Sequence, residues 1–116
     1  MNVTEIDLSK AAPRSGRELL GRYAWLARLA DKVRAEQAGT EGDYVAYCPL
    51  SMGFLDAAGV SKYTFDELIT RSASDDELVA YFDRNVADDK REAANRFVLR
   101  DHAKSLDQQD AEEGRG

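Results

Sequence analysis

The stretch from Gly16 to Ala38 spreads apolar side chains over more of a helical circumference than a surface helix can use. Leu19, Tyr23, Leu26, Ala30 and Val33 recur at spacings of three and four, which marks one helical face. Trp25 and Leu29, four apart, form a second stripe well outside that face. A helix apolar over much more than about 100° of arc is enclosed by other material. Ser15-Gly16-Arg17-Glu18 reads as a capping box and Gly39 as the residue that ends the helix. Together they predict a helix over 16–38, roughly 34 Å long. Either the rest of the domain wraps this helix, or its second stripe meets a second chain.

With 116 residues, of which 43% are hydrophobic, the chain makes one domain of ordinary size. Cys48-Pro49 ends an extended loop at 40–47 and opens a short helix over 49–58, stopped by Gly59, since proline suits a first helical turn. Thr64-Phe65-Asp66-Glu67 and Ser74-Asp75-Asp76-Glu77 are two further capping boxes, predicting helices over 65–72 and from 75 to about 86. A last long helix spans 88–106. The expected architecture is an all-α bundle of about five helices, two of them long, without internal repeats. Residues 1–12 read as a flexible N-terminal segment, 13–106 as the helical domain, and 107–116 as a polar, frayed tail.

Sixteen basic and twenty-two acidic residues give a net charge of −6. The charge is uneven: residues 10–34 carry +5 (seven basic, two acidic) and residues 35–89 carry −9 (three basic, twelve acidic). Such complementary blocks can be satisfied internally or by a second copy of the chain. Nucleic-acid binding draws on net or clustered positive charge, and this balance argues against it. One alternative is kept: the basic first helix as a nucleic-acid or phosphate-ligand binder, with Arg14, Arg17 and Tyr47 as the ligand-binding candidates. No cationic segment followed by an apolar run opens the sequence, and no stretch approaches the ~20 apolar residues that span a bilayer. The expectation is a cytoplasmic protein whose single thiol stays reduced.

One cysteine and one histidine exclude a disulfide scaffold and a multi-cysteine zinc site. Cys48 precedes Pro49, at the positive end of a helix, where partial charge lowers a thiol's pKa. Against this stands its role as a small buried hydrophobe. His102, beside Arg100, Asp101 and Lys104, reads as a surface histidine rather than a base for Cys48. The carboxylates at 75–77 and 88–89 sit where helix starts favour acid, so no metal ligand set and no cofactor is expected.

Several stretches together resemble a known family. They are Pro13-Arg14-Ser15, Tyr23-Ala24-Trp25-Leu26-Ala27-Arg28, Asp31-Lys32-Val33-Arg34-Ala35, Ala38-Gly39-Thr40, Tyr47-Cys48-Pro49-Leu50 with Phe54-Leu55, and the closing Glu112-Glu113-Gly114-Arg115. The chain is similar over nearly its whole length to a family of small bacterial proteins known as domain of unknown function 5069. That family's aromatic-rich segment before the ending is replaced here by Asp107-Gln108-Gln109-Asp110. The resemblance implies a stand-alone soluble bacterial protein and brings no activity or catalytic residue with it.

The leading functional expectation is a non-enzymatic interaction or regulatory domain acting as a homodimer. Its interface would be built from Trp25 and Leu29 on the first helix and from Leu99, Ala103 and Leu106 on the last. The second is a thiol-dependent redox sensor or small enzyme using Cys48.

Overall fold

The computed structural model describes residues 6–115. Among these the chain forms six α-helices and no strand. They are α1 (Leu26–Ala38), α2 (Pro49–Ala58), α3 (Lys62–Thr70), α4 (Asp75–Asn85), α5 (Asp88–Arg96) and α6 (Ala103–Glu112), with a π-helical turn at Phe97–Asp101 between the last two. The all-α class is as expected; the count is six rather than about five. The expected last helix over 88–106 is broken by the π turn and then runs on to Glu112, so the stretch expected as a frayed tail is helical.

Local chemistry explains most of the ends. Ser74 Oγ accepts from the Glu77 amide while Glu77 Oε1 accepts from the Ser74 amide, both at 3.1 Å, a complete capping box for α4. At α3 the cap moves upstream: Ser61 Oγ accepts from the Thr64 amide at 3.0 Å, so the helix begins at Lys62 rather than after Thr64. Gly39 and Gly59 end α1 and α2 with left-handed φ of 74° and 77°.

The first helix is the main correction. It starts at Leu26, not near Gly16, and residues 16–25 form a looped segment. Gly21 has φ 59° and Trp25 has φ 72°, a backbone region that bulky residues rarely enter. The reason lies in packing. Residues two apart on a helix point to nearly opposite sides, yet Tyr23 and Trp25 are both fully buried. The left-handed turn at Trp25 sends both rings inward, held by the Trp25 amide donating to Gly16 O at 2.8 Å. Asn95 in α5 fixes the same segment, accepting from the Ala24 amide and donating to Arg22 O. Ser15 does not cap a helix; its hydroxyl donates to Asp110 at 2.7 Å.

The core surrounds α1 and gathers on Phe82. The rings of Tyr23, Tyr81, Phe54 and Phe65 lie 5.1, 6.1, 6.2 and 6.3 Å from it. Helix α2 packs on α5 and on the π turn, and α1 on α3. The α2 crossing needs Gly53: a Cβ there would lie 2.1 Å from Phe97 Cζ.

This enclosure takes three of the five expected interface residues out of reach. Trp25 and Leu29 are fully buried within the protomer and Leu106 is 1% exposed, so none of the three offers a surface to a second chain. Leu99 is exposed and Ala103 half-buried. Leu19, expected on the apolar face, points to solvent. Of the N-terminal segment expected to be flexible, residues 1–5 lie outside the described residues. Further along it Leu8 is buried, and its amide donates to Thr40 O.

Candidate functional site

Helix α1 buries ten successive residues, Leu26 to Ala35. Four of them are ionisable: Arg28, Asp31, Lys32 and Arg34. A buried charge needs a partner, because leaving water costs several kcal/mol per ion. Arg28 meets Glu113 through two parallel bonds of 2.8 and 2.7 Å. Asp31 accepts from Arg14, through the guanidinium at 3.1 and 3.0 Å and the backbone amide at 2.9 Å. Arg34 donates to Asp75 at 2.9 Å and to Ala73 O at 3.0 Å. Lys32 differs. Among the described residues it has no carboxylate partner, and its ammonium donates to Cys48 Sγ at 3.6 Å.

Cys48 is the N-cap residue of α2, followed by Pro49 in the first turn. Its sulfur also lies 3.5 Å from Ser51 Oγ. A third group holds that hydroxyl in place. Trp25 Nε1, which can only donate, donates to Ser51 Oγ at 3.0 Å. One lone pair of Ser51 is thereby used, and its proton is free to point at sulfur. The result is a buried chain from the Trp25 indole through the Ser51 hydroxyl to Cys48, with the Lys32 ammonium on the sulfur as well.

The electrostatics follow. Burial by itself raises the Cys48 thiol pKa, but the Ser51 hydroxyl and the Lys32 charge outweigh it. The amides of Ser51 and Leu50 add smaller contributions of the same sign, although neither makes a cap hydrogen bond of ordinary geometry. The net effect holds the thiol below its ordinary value of 9.0. Burial likewise lowers Lys32, with Arg28 acting in the same direction, while Cys48 and Glu113 oppose. The ammonium rests 5.4 Å from the Trp25 ring centroid and Arg28 5.6 Å from the same ring. Cys48 itself is half-buried.

The C-terminal end closes the neighbourhood. Glu113 also accepts from Tyr44 at 2.9 Å and from Arg115, which joins the loop before Cys48 to the end of α6.

The other sequence candidates are dispersed. Arg14 is locked between Asp31 and Asp75, with bonds of 2.8 and 3.2 Å to the latter. Arg17 pairs with Asp107 and Asp110 on α6. Tyr47 donates to Asp66 at 2.5 Å. Burial and that carboxylate raise the Tyr47 phenol far above its usual range, so it is no acid or base near neutrality. These three do not converge on one ligand. His102 bonds Phe97 O through Nδ1 at 2.8 Å, at the exit of the π turn, rather than Cys48. The basic residues of the first third largely make pairs within the chain, one of the two ways in which the charge blocks could be satisfied. No group of three or more potential metal ligands occurs among the described residues, and no helix there is long and apolar enough to cross a membrane.

Sequence reasoning found Cys48 but not Lys32, Ser51 or Glu113. One signal was available: Lys32 lies seven residues after Trp25 and three after Leu29, so it belongs to the apolar stripe that those two define.

The model of domain of unknown function 5069 matches residues 10–115. The chain belongs to this family. The matched span holds Arg28, Lys32, Cys48, Ser51 and Glu113, so the whole arrangement lies within the family's domain. No curated protein matches the chain.

Proposed function

We propose that this protein is a thiol-based redox-responsive domain in which Cys48 is the reacting atom's carrier. The observation that supports this reading is Lys32, the one buried ionisable residue of α1 whose polar partner is a thiol. An ammonium enclosed without a carboxylate is best balanced by a thiolate, and the thiolate is the reactive form of cysteine.

The step is an attack of the Cys48 thiolate on the distal oxygen of a hydroperoxide. A sulfur–oxygen bond forms and the peroxide oxygen–oxygen bond breaks. The leaving alkoxide or hydroxide takes a proton from solvent and departs as alcohol or water. Sulfur is oxidised by two electrons to the sulfenic acid and the peroxide is reduced. Lys32 and the Ser51 hydroxyl hold the thiolate before the step, and the half-buried setting limits the oxidant to small molecules.

Loss of free thiol under hydrogen peroxide, followed at neutral pH in folded and urea-unfolded protein, tests the reading. Folded protein is expected to react faster, because its thiolate fraction is larger. Equal or slower loss in the folded state would mean that Cys48 is a packing residue only.

A further inference from the structure

We propose that Lys32 is the group that resolves oxidised Cys48, closing a reversible sulfur–nitrogen bond between α1 and the start of α2. The inference rests on the reading that Cys48 reacts with peroxide, and it names what the sulfenic acid then meets.

A cysteine sulfenic acid ordinarily condenses with a thiol or with a backbone nitrogen. The ordinary form of neither is available here, the backbone route ordinarily using the nitrogen of the next residue. Cys48 is the chain's single cysteine, and the nitrogen that follows it belongs to Pro49, which carries no hydrogen. The nucleophile in place is Lys32 Nζ, 3.6 Å from Sγ, on a side chain of a residue only 4% exposed. Its flexible four-carbon stem can absorb the approach to bonding distance.

Oxidation itself activates this amine. In the reduced protein the charge and hydrogen bond of Cys48 oppose the loss of the Lys32 proton. Conversion of the thiolate to a neutral sulfenic acid removes that opposition. Burial, the largest cause, and the Arg28 charge then favour the neutral amine, with the Glu113 charge, the smallest, still opposing. The proton leaves toward solvent at the moment a nucleophile is needed.

The Nζ lone pair forms a bond to Sγ, and the sulfur–oxygen bond breaks with its electron pair on oxygen. One amine proton joins that oxygen, and water leaves. This second step is a condensation without net oxidation; the hydroperoxide of the first step is the oxidant. Attack of an external thiolate on sulfur reverses the bond and returns the amine. The bridge would keep sulfur from the irreversible acids and replace an ion pair beside the Trp25 ring by a covalent tie.

The test is the intact mass of the full chain after one equivalent of hydrogen peroxide, before and after dithiothreitol, for wild type, Lys32→Arg and Lys32→Met. The proposal expects the wild type to lose two hydrogens, to yield a tryptic pair joined at Lys32 and Cys48, and to recover its mass on reduction. Lys32→Arg, which keeps a cation at the sulfur, is expected to gain one or more oxygens instead, trappable by dimedone while singly oxidised; Lys32→Met, which removes the charge that favours the thiolate, is expected to do so more slowly and likewise without the bridge. Lys32→Arg keeps the buried charge, so it guards against a folding defect in Lys32→Met. A wild type that gains oxygen like the variants, or forms a disulfide-linked dimer, overturns the bridge and leaves the reactive thiol standing. No mass change of any kind overturns both.

Discussion

Trp25 Nε1 donates to Ser51 Oγ across 3.0 Å, and so a left-handed core residue anchors the hydroxyl that faces Cys48. Replacing Ser51 by Ala is therefore expected to act twice. The thiol loses a donor that favours its charged form, so its pKa rises and alkylation by iodoacetamide near neutral pH slows. The indole N–H is left buried without an acceptor, which costs about 1–3 kcal/mol of stability. Alkylation rate and urea denaturation on the same variant measure the two effects separately.

The loop over 16–25 depends on a close approach that tolerates no side chain. A Cβ on Gly16 would stand 2.6 Å from Trp25 Cε3 and 2.7 Å from Leu106 Cδ2. Both neighbours are buried and have no room to retreat. Gly16→Ala is expected to destabilise by about 1–3 kcal/mol, as overpacking does, read as a lower urea midpoint. Wild-type stability in this variant would contradict the packing described for Trp25.

Glu113 is the counter-ion of a nearly fully buried Arg28. Glu113→Ala is expected to cost about 3–5 kcal/mol, because an unpaired guanidinium stays behind. The pH dependence has a definite sign. Burial raises the Glu113 carboxyl, but Arg28, Tyr44 and Arg115 outweigh it and hold it below its ordinary 4.5. A carboxylate lowered on folding stabilises fully above its unfolded pKa, and the contribution fades as pH falls through the folded value. Thermal melts from neutral to acid pH should show a falling limb below about pH 4.5 that is shallower in Glu113→Gln.

Elements whose ends depend on near neighbours were legible in the sequence, and those set by distant ones were not. Pro49 and Gly59 bracket α2, and Ser74 with Glu77 opens α4, each within a few residues. Ser15-Glu18 has the same local form, yet Ser15 bonds Asp110 across 95 positions and Trp25 turns left-handed to bury its ring. A pattern of spacing carries neither fact. The site divides the same way. The place of Cys48 at a helix start follows from Pro49 beside it. Lys32 counted as one of seven basic residues, and it reaches sulfur only because the 39–47 loop brings the start of α2 beside Lys32. The polar ending read as a tail because Glu113 has no apolar neighbour in sequence; its reason is Arg28, 85 residues away.

The most direct measurement is the ultraviolet titration of the Cys48 thiolate in wild type and Lys32→Met, with Cys48→Ser as the baseline. The buried ammonium is expected to place the wild-type midpoint below 9.0, and its removal to move the midpoint upward. A wild-type midpoint at or above the ordinary thiol value, or the same midpoint in both proteins, would contradict the ion pair on which the account rests.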